Sequence, residues 1–186
     1  MSRPNPTIAL LLWLTAAYAA GGVGALGVGH GVETLYPGLL KPAWTPPSPV
    51  FGPVWTALDA LLGLAAWRVW RSEGPKSLAL SLWWTALVLA ALWPWAFFGF
   101  GRLGLAFGLC VALLIALVAA VPAFAGRDRA AAWMLVPAVL WVAFATTLNF
   151  SVWRLNAPSE RRTLNTTKAT GPSSGGLIVL VSGRSA

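Results

Sequence analysis

The chain has 186 residues, of which 58% are hydrophobic and only 10% are charged, whereas soluble globular proteins carry about 25% charged residues. A core of this size cannot hide so much apolar surface, so the composition excludes a soluble domain and predicts an integral membrane protein in contact with the lipid bilayer. The net charge of +8 does not indicate a nucleic-acid partner, because the basic residues stand singly or in pairs at the ends of apolar runs, where membrane helices carry their anchors.

The first apolar run covers residues 7–29. It is too long for the hydrophobic part of a signal peptide, so we expect it to be retained as a membrane helix. Small residues recur at every fourth position, which places them on one helix face where another helix or a second copy of the chain can approach closely. They are Ala17, Gly21, Ala25 and Gly29.

A proline-rich connection follows at residues 30–49. Its prolines prevent a regular helix and stiffen the backbone. Connections of about twenty residues are uncommon in compact proteins, and many of them act as lids over a functional site. We therefore interpret this segment as a lid.

Four further apolar runs cover residues 50–70, 77–98, 103–124 and 130–153. Each has about 20 residues, which as a helix crosses a hydrocarbon core of ~30 Å. The short connections between them favour antiparallel neighbours packed side by side. The predicted fold is all-α, an integral, multi-pass membrane bundle of five transmembrane helices.

The C-terminal residues 157–186 differ in composition from the rest of the chain. They are rich in Ser, Thr and Gly, and their one apolar patch, residues 177–181 (LIVLV), is too short to span a bilayer. We expect a disordered tail or a reading-frame artefact, and we assign the membrane domain to residues 1–156.

Three ordered motifs carry a family resemblance. Residues 41–47 (KPAWTPP) lead into residues 54–58 (VWTAL), residues 93–99 read WPWAFFG, and residues 141–150 (WVAFATTLNF) continue to residues 153–156 (WRLN). Together they resemble the TspO/MBR family, the tryptophan-rich sensory proteins related to the translocator protein (the peripheral benzodiazepine receptor). The resemblance covers residues 8–156 and includes one long first loop and short later ones.

This resemblance implies a five-helix bundle that is usually a homodimer, with a ligand pocket opening under the first loop. Members bind porphyrins such as protoporphyrin IX, haem and cholesterol-like sterols, and some bacterial members are reported to promote light-dependent porphyrin breakdown. The resemblance implies no required cofactor, because a porphyrin or haem would be the ligand.

The residues themselves also suggest such a pocket. A porphyrin is a flat apolar disc, which aromatic faces and a few rim cations can hold. We predict ligand contacts from four aromatic residues, Trp44, Trp55, Phe97 and Trp141, and from Ala145, which lies one helical turn after Trp141. Lys41 and Pro46 are predicted at the rim or in the loop. Packing between helices is the alternative role for each aromatic residue.

Two positions depart from the family pattern. Asp59 stands where the family commonly has an aromatic residue, and Ala90 stands where it often has Asn. A carboxyl group inside an apolar span is costly and indicates a functional role, here as a ligand-binding residue. A structural hydrogen bond to a neighbouring helix is the alternative for Asp59. Both departures bear on ligand preference.

The favoured function is a membrane receptor or transporter for porphyrins or related lipophilic ligands such as sterols. No catalytic constellation is visible, and a single Cys110 and a single His30 exclude a cysteine-based metal cluster and a multi-histidine site within one chain. Two alternatives stay open: a light-dependent porphyrin-degrading enzyme, and a membrane scaffold or signalling partner acting through helix–helix contacts.

Overall fold

Five long helices make up the membrane domain. The computed structural model describes residues 5–73 and 77–157, and all regular elements within these ranges are helical. Five segments are long and apolar enough to cross a membrane, which confirms the predicted all-α bundle. The helices are α1 (Pro6–Thr34), α2 (Phe51–Glu73), α3 (Leu78–Pro94), α4 (Leu103–Ala125) and α5 (Arg129–Asn156).

The first helix is longer than its apolar run. It continues past Gly29 to Thr34, because the first proline of the connection comes only at Pro37 and nothing before it stops the helix. A 3₁₀ turn over Tyr36–Gly38 then begins the connection, and a second 3₁₀ turn over Ser48–Val50 leads into α2. The irregular part of the connection is therefore shorter than predicted.

The third helix changes its winding at Pro94. A π-helical turn over Trp95–Gly99 follows, in which the Phe100 N–H donates to the Trp95 carbonyl at 2.8 Å. Wider turns of this kind often occur at functional sites, because they rotate side chains away from their regular positions. Here the turn carries Phe97 into a buried position.

The helices pack in a closed ring in the order α1, α2, α5, α4, α3 and back to α1. The connection between α2 and α3 predicts close packing of these two helices, but α2 packs mainly against α1 and α5. One direct link joins α2 to α3, where the indole N–H of the buried Trp83 donates to the Leu62 carbonyl at 3.0 Å. Chain order therefore differs from packing order around the ring.

The closest helix approaches in the ring involve glycines of α1. A Cβ atom at Gly27 would lie 2.9 Å from the Trp95 backbone nitrogen, and one at Gly31 would collide with the Phe98 carbonyl. Gly29, part of the predicted small-residue face, has nothing within 4 Å of a Cβ. Between α1 and the π-helical turn, the tight backbone contacts therefore fall on Gly27 and Gly31, whereas Gly29 makes none.

An ion pair joins α2 to the start of α5. Arg68 Nε donates to Asp128 Oδ2 at 2.8 Å, and Asp128 Oδ1 accepts from the backbone N–H groups of Ala130 and Ala131 at 2.9 and 3.1 Å. Asp128 is thus the N-terminal cap of α5 as well as an ion-pair partner. The hydrogen bond from Arg68, followed by the backbone donors, holds the pKa of Asp128 below its usual range.

Asp128→Ala removes both the cap and the ion pair and should destabilise the protein by about 1–2 kcal/mol, of which about 1 kcal/mol comes from the lost cap. The partly exposed ion pair adds only about 0.2–1 kcal/mol. Because Asn also caps helices well, Asp128→Asn should lose less stability than Asp128→Ala. Thermal unfolding of the purified protein in detergent at pH 7 measures both variants.

The pH dependence of these variants separates the charge from the cap. Because the pKa of Asp128 is lower in the folded than in the unfolded protein, its charge stabilises the fold at any pH above the unfolded-state pKa of about 3.9. This stabilisation is lost as the pH falls through the folded-state pKa. The difference in melting temperature between wild type and Asp128→Asn should therefore shrink below about pH 4. Equal stability of the two proteins at pH 7 would show that the ion pair contributes nothing.

The expectations for the tail concern residues 157–186, of which only Ala157 lies within the described residues. The helices above all belong to one compact unit, Met1–Asn156.

Candidate functional site

A cavity of about 560 Å³ lies inside the ring of helices. Its volume falls within the range of about 300–1,000 Å³ that is usual for small-molecule sites. All five helices contribute to its wall. One lining residue from each helix, in order from α1 to α5, is Gly21, Asp59, Leu87, Leu113 and Val142. It is therefore an interhelical cavity enclosed by the whole bundle and not a groove on one helix pair.

Aromatic side chains form much of the wall. Phe51 and Trp55 lie one turn apart on α2, so they share the face that also presents Asp59. On the side of α3 and the π-helical turn, the rings of Trp93 and Phe97 lie 5.9 Å apart, and those of Phe97 and Phe98 lie 4.6 Å apart. A flat apolar ligand would meet aromatic faces from two directions.

The wall on the α1 side is built from small residues. Gly22, Ala25 and Gly29 line the cavity, yet they are exposed at the surface of the single chain. The cavity therefore reaches the surface along α1. At this edge the Tyr18 hydroxyl donates to the Thr56 carbonyl on α2 at 3.3 Å and links the two helices.

Asp59 lies in the wall of the cavity and is only 7% exposed. Its carboxyl group rests against Gly21 of α1, where a Cβ atom would collide with Oδ2. Among the residues 5–73 and 77–157, none forms a hydrogen bond or ion pair with this carboxyl group. The structural hydrogen bond offered above as the alternative role of Asp59 is thus not found within the described part of the chain.

Asn149 is a polar lining residue that the sequence interpretation did not select. It is 2% exposed, and neither atom of its amide has a hydrogen-bond partner in the part of the chain that the structure describes. The indole N–H of Trp93, also in the wall, is unpaired in the same sense. Asn149 is the only amide within the last apolar run, and a polar side chain inside a span could have been recognised by that signal.

Four of the residues predicted to bind ligand line the cavity: Trp55, Asp59, Phe97 and Ala145. The other two, Trp44 and Trp141, are not among the lining residues. The Trp141 ring lies 5.6 Å from that of Phe51, and the Trp44 ring lies 5.8 Å from that of Phe144. Trp141 therefore supports the wall from behind through Phe51.

The predicted rim residues Lys41 and Pro46 are also outside the lining. Lys41 Nζ donates to the carbonyls of Tyr36 and Leu39 at 2.7 and 2.9 Å, and it lies 4.5 Å from the centre of the Tyr36 ring. The charge is thus held within the loop. Tyr36 itself lines the cavity, and burial raises the pKa of its hydroxyl above the usual value.

The proline-rich connection is fastened to the end of α5. The Asn156 side chain accepts from the Leu40 N–H at 3.1 Å and donates to the Leu40 carbonyl at 2.9 Å. Both ends of the connection reach the cavity, through Tyr36 and Ser48. This arrangement suits the lid predicted from the sequence.

The chemistry of the wall is that of a binding site. Ala90, the second departure from the family pattern, is also a lining residue, and it adds space and no polar group. Within the described ranges, His, Cys, Asp and Glu side chains do not come together in groups of three that could hold a metal ion. The polar side-chain groups of the described wall are one carboxyl, one amide, two indoles and four hydroxyls, which can hydrogen-bond to a ligand.

Comparison with known proteins gives one consistent family. The model of the TspO/MBR family matches residues 10–154. Protein CrtK of Rhodobacter capsulatus is 35% identical over 153 residues, covering 81% of this chain and 93% of the relative. The tryptophan-rich sensory protein of Cereibacter sphaeroides is 36% identical over 145 residues, covering 78% and 91%. The human translocator protein is 38% identical over 125 residues, covering 65% and 74%.

The family-model match covers almost all of the five helices and the long first connection, and the matches together confirm the resemblance carried by the three motifs. The chain is a multi-pass integral membrane protein and belongs to the TspO/MBR family.

Proposed function

We propose that this protein is a membrane receptor or transporter that binds porphyrins or related lipophilic ligands, such as sterols, in the interhelical cavity. The observation that carries the proposal is the cavity of about 560 Å³ with aromatic faces on two sides. Burial of a flat apolar ligand between such faces is favourable, and a few polar groups are enough to orient it. Protoporphyrin IX or haem would then be a ligand and not a resident cofactor.

Two further features support a reversible ligand site. The relatives are named for translocation and for sensing, and both activities need a molecule to enter and leave. The exposed small residues of α1 would give a lipophilic molecule a route from the bilayer, where such molecules concentrate. The homodimer implied by the family resemblance stays a prediction.

Titration with protoporphyrin IX tests the proposal. In wild type, the porphyrin absorption band should shift saturably at a stoichiometry of one per chain. Ala145→Phe places a ring in the cavity, because Ala145 is a buried lining residue of α5. We expect its affinity for the porphyrin to fall by about tenfold or more, since the added ring and the ligand compete for one space.

The matched control is Ala119→Phe, which adds the same ring at an exposed position of α4 outside the cavity wall. Its porphyrin affinity should stay within about twofold of wild type. Unsaturable binding by the wild-type protein, or equal loss in the two variants, would contradict a porphyrin site in this cavity.

A further inference from the structure

We propose that the cavity selects apolar ligands that carry a cationic amine, and that the carboxyl group of Asp59 is the selecting group. This inference rests on the proposed function only in that a ligand enters this cavity. It adds a charge preference that neither an aromatic wall nor cavity size provides.

The charge distribution around the cavity is one-sided. Among the lining residues that the structure describes, Asp59 is the only acidic one, and none is Lys or Arg. The nearby loop cation, Lys41, donates to two backbone carbonyls instead of to a carboxylate. A ligand in the cavity would therefore meet one carboxyl group and no compensating protein cation from the described part of the wall.

The position of the carboxyl group is well defined. Asp59 follows Phe51 and Trp55 at four-residue intervals, so an apolar ligand stacked on those rings would extend toward it along one face of α2. From the other side, the carboxyl group lies against Gly21 of α1, where a Cβ atom would collide with Oδ2. A side chain larger than glycine at position 21 would therefore displace the carboxyl group.

Electrostatics explains why the cavity would prefer a ligand that carries a cationic amine. A buried carboxyl group without a partner is costly, and an ammonium or other strong donor on the ligand would supply the missing partner. Because charges interact more strongly away from water, a ligand carboxylate near Asp59 would be disfavoured more than it would be in solution. The second unpaired polar group of the wall, the Asn149 amide, can accept or donate and does not oppose this preference.

Three anthracenes that share one ring system and differ in charge test the preference. They are 9-(aminomethyl)anthracene, 9-anthracenemethanol and anthracene-9-carboxylic acid, and their binding is followed by fluorescence anisotropy. The full chain is placed in nanodiscs of phosphatidylcholine, and empty nanodiscs give the partition background. Wild type should bind the amine about tenfold more tightly than the alcohol, and the carboxylic acid most weakly of the three.

Asp59→Asn keeps the size of the side chain and removes its charge. In this variant the ratio of amine to alcohol affinity should fall to about one, while the alcohol affinity stays within about twofold of wild type. Glu33→Gln is the matched control, because it removes an exposed carboxylate of α1 that does not line the cavity. It should keep the wild-type preference.

A second pair of variants keeps Asp59 itself. Gly21→Ala puts a methyl group into the space of the carboxyl group and should reduce the amine preference, whereas Gly108→Ala in α4, outside the cavity wall and with nothing within 4 Å of its Cβ, should retain it. Equal binding of amine and alcohol by wild type, or an unchanged preference in Asp59→Asn, would overturn the inference, as would the absence of saturable binding of any anthracene. Amine preference without porphyrin binding would support the inference and overturn only the porphyrin proposal.

Discussion

Replacing Gly31 by Ala should destabilise the protein by about 3 kcal/mol, at the upper end of the usual cost of overpacking. A Cβ at this position would collide with the Phe98 carbonyl oxygen and lie 2.9 Å from the Phe98 Cα. Both of these Phe98 atoms belong to the backbone. A backbone cannot rotate out of the way as a side chain can. Relief would require α1 to move away from the π-helical turn.

The intrinsic effect of this substitution has the opposite sign. Alanine favours a helix over glycine by about 0.5–1 kcal/mol, so a loss of stability in Gly31→Ala would report the helix contact and not helix propensity. The measurement is thermal unfolding of the purified protein in detergent. Gly108→Ala in α4, with nothing within 4 Å of a Cβ, is the matched control and should unfold at the same temperature or slightly higher.

The contact between α1 and the π-helical turn would be looser than described if Gly31→Ala and Gly108→Ala unfolded at similar temperatures. A lower melting temperature for Gly31→Ala alone would show that this contact contributes strongly to the packing of the helix bundle. Because Phe97 and Phe98 belong to the same turn and line the cavity, the shape of the cavity depends on this contact.

Replacing Asn149 by Leu should have the opposite effect and stabilise the protein, by about 1–2 kcal/mol. A buried polar group without a partner costs about 1–3 kcal/mol, and Leu has a similar size without that cost. For a chain of this length the gain corresponds to a rise of a few °C in melting temperature, about 2–4 °C per kcal/mol. If the amide hydrogen-bonds to ligand, protoporphyrin IX affinity should fall in the same variant.

Thr146→Val is the control for this prediction. Its hydroxyl lies on the same helix but already donates to the Val142 carbonyl at 2.7 Å, so its removal should give no stabilisation. A lower melting temperature for Asn149→Leu than for wild type would show that the amide contributes to the fold. Together, the gain in stability and the loss of binding would mark Asn149 as a residue kept for function at the expense of stability.

The helices were predictable because run length alone decides whether a segment can cross a bilayer. Their order around the ring was not, because connections between neighbours in the chain do not determine which helix faces which. The spacing of Ala17, Gly21, Ala25 and Gly29 predicted one face of α1 for close helix approach, but it did not indicate what lies against each position. In the structure that face meets Asp59 at Gly21 and borders the cavity at Gly29.

The types of residue at the candidate site were predictable, but which of them face the cavity was less so. Ala145 was selected as lying one turn from Trp141, yet the lining face of α5 runs through Ala138, Val142, Ala145 and Asn149. Trp141 lies at the edge of this face, where its ring packs against Phe51 and does not line the cavity. Such an offset depends on the rotation of α5 in the bundle, which a single sequence does not define.

The hydrogen-bond partners of Lys41 could likewise not be predicted from the neighbouring sequence. A cation near an expected pocket suggests a rim contact, but the loop folds so that two of its own carbonyls take the ammonium group. This capture depends on the 3₁₀ turn at Tyr36–Gly38, whose carbonyl groups point toward the lysine only once the turn has formed.

The hydrogen bonds between Asn156 and Leu40 make the attachment of the proline-rich connection depend on the length of the last helix. One amide side chain satisfies both backbone groups of Leu40, much as a neighbouring strand would in a sheet. Had α5 ended at Trp153, as its apolar run alone suggests, the amide would not be in place and the connection would have lost this attachment. The final turn of α5 therefore holds the proline-rich connection in place. If this turn frayed, the connection would lose its attachment before the packing of the five helices changed.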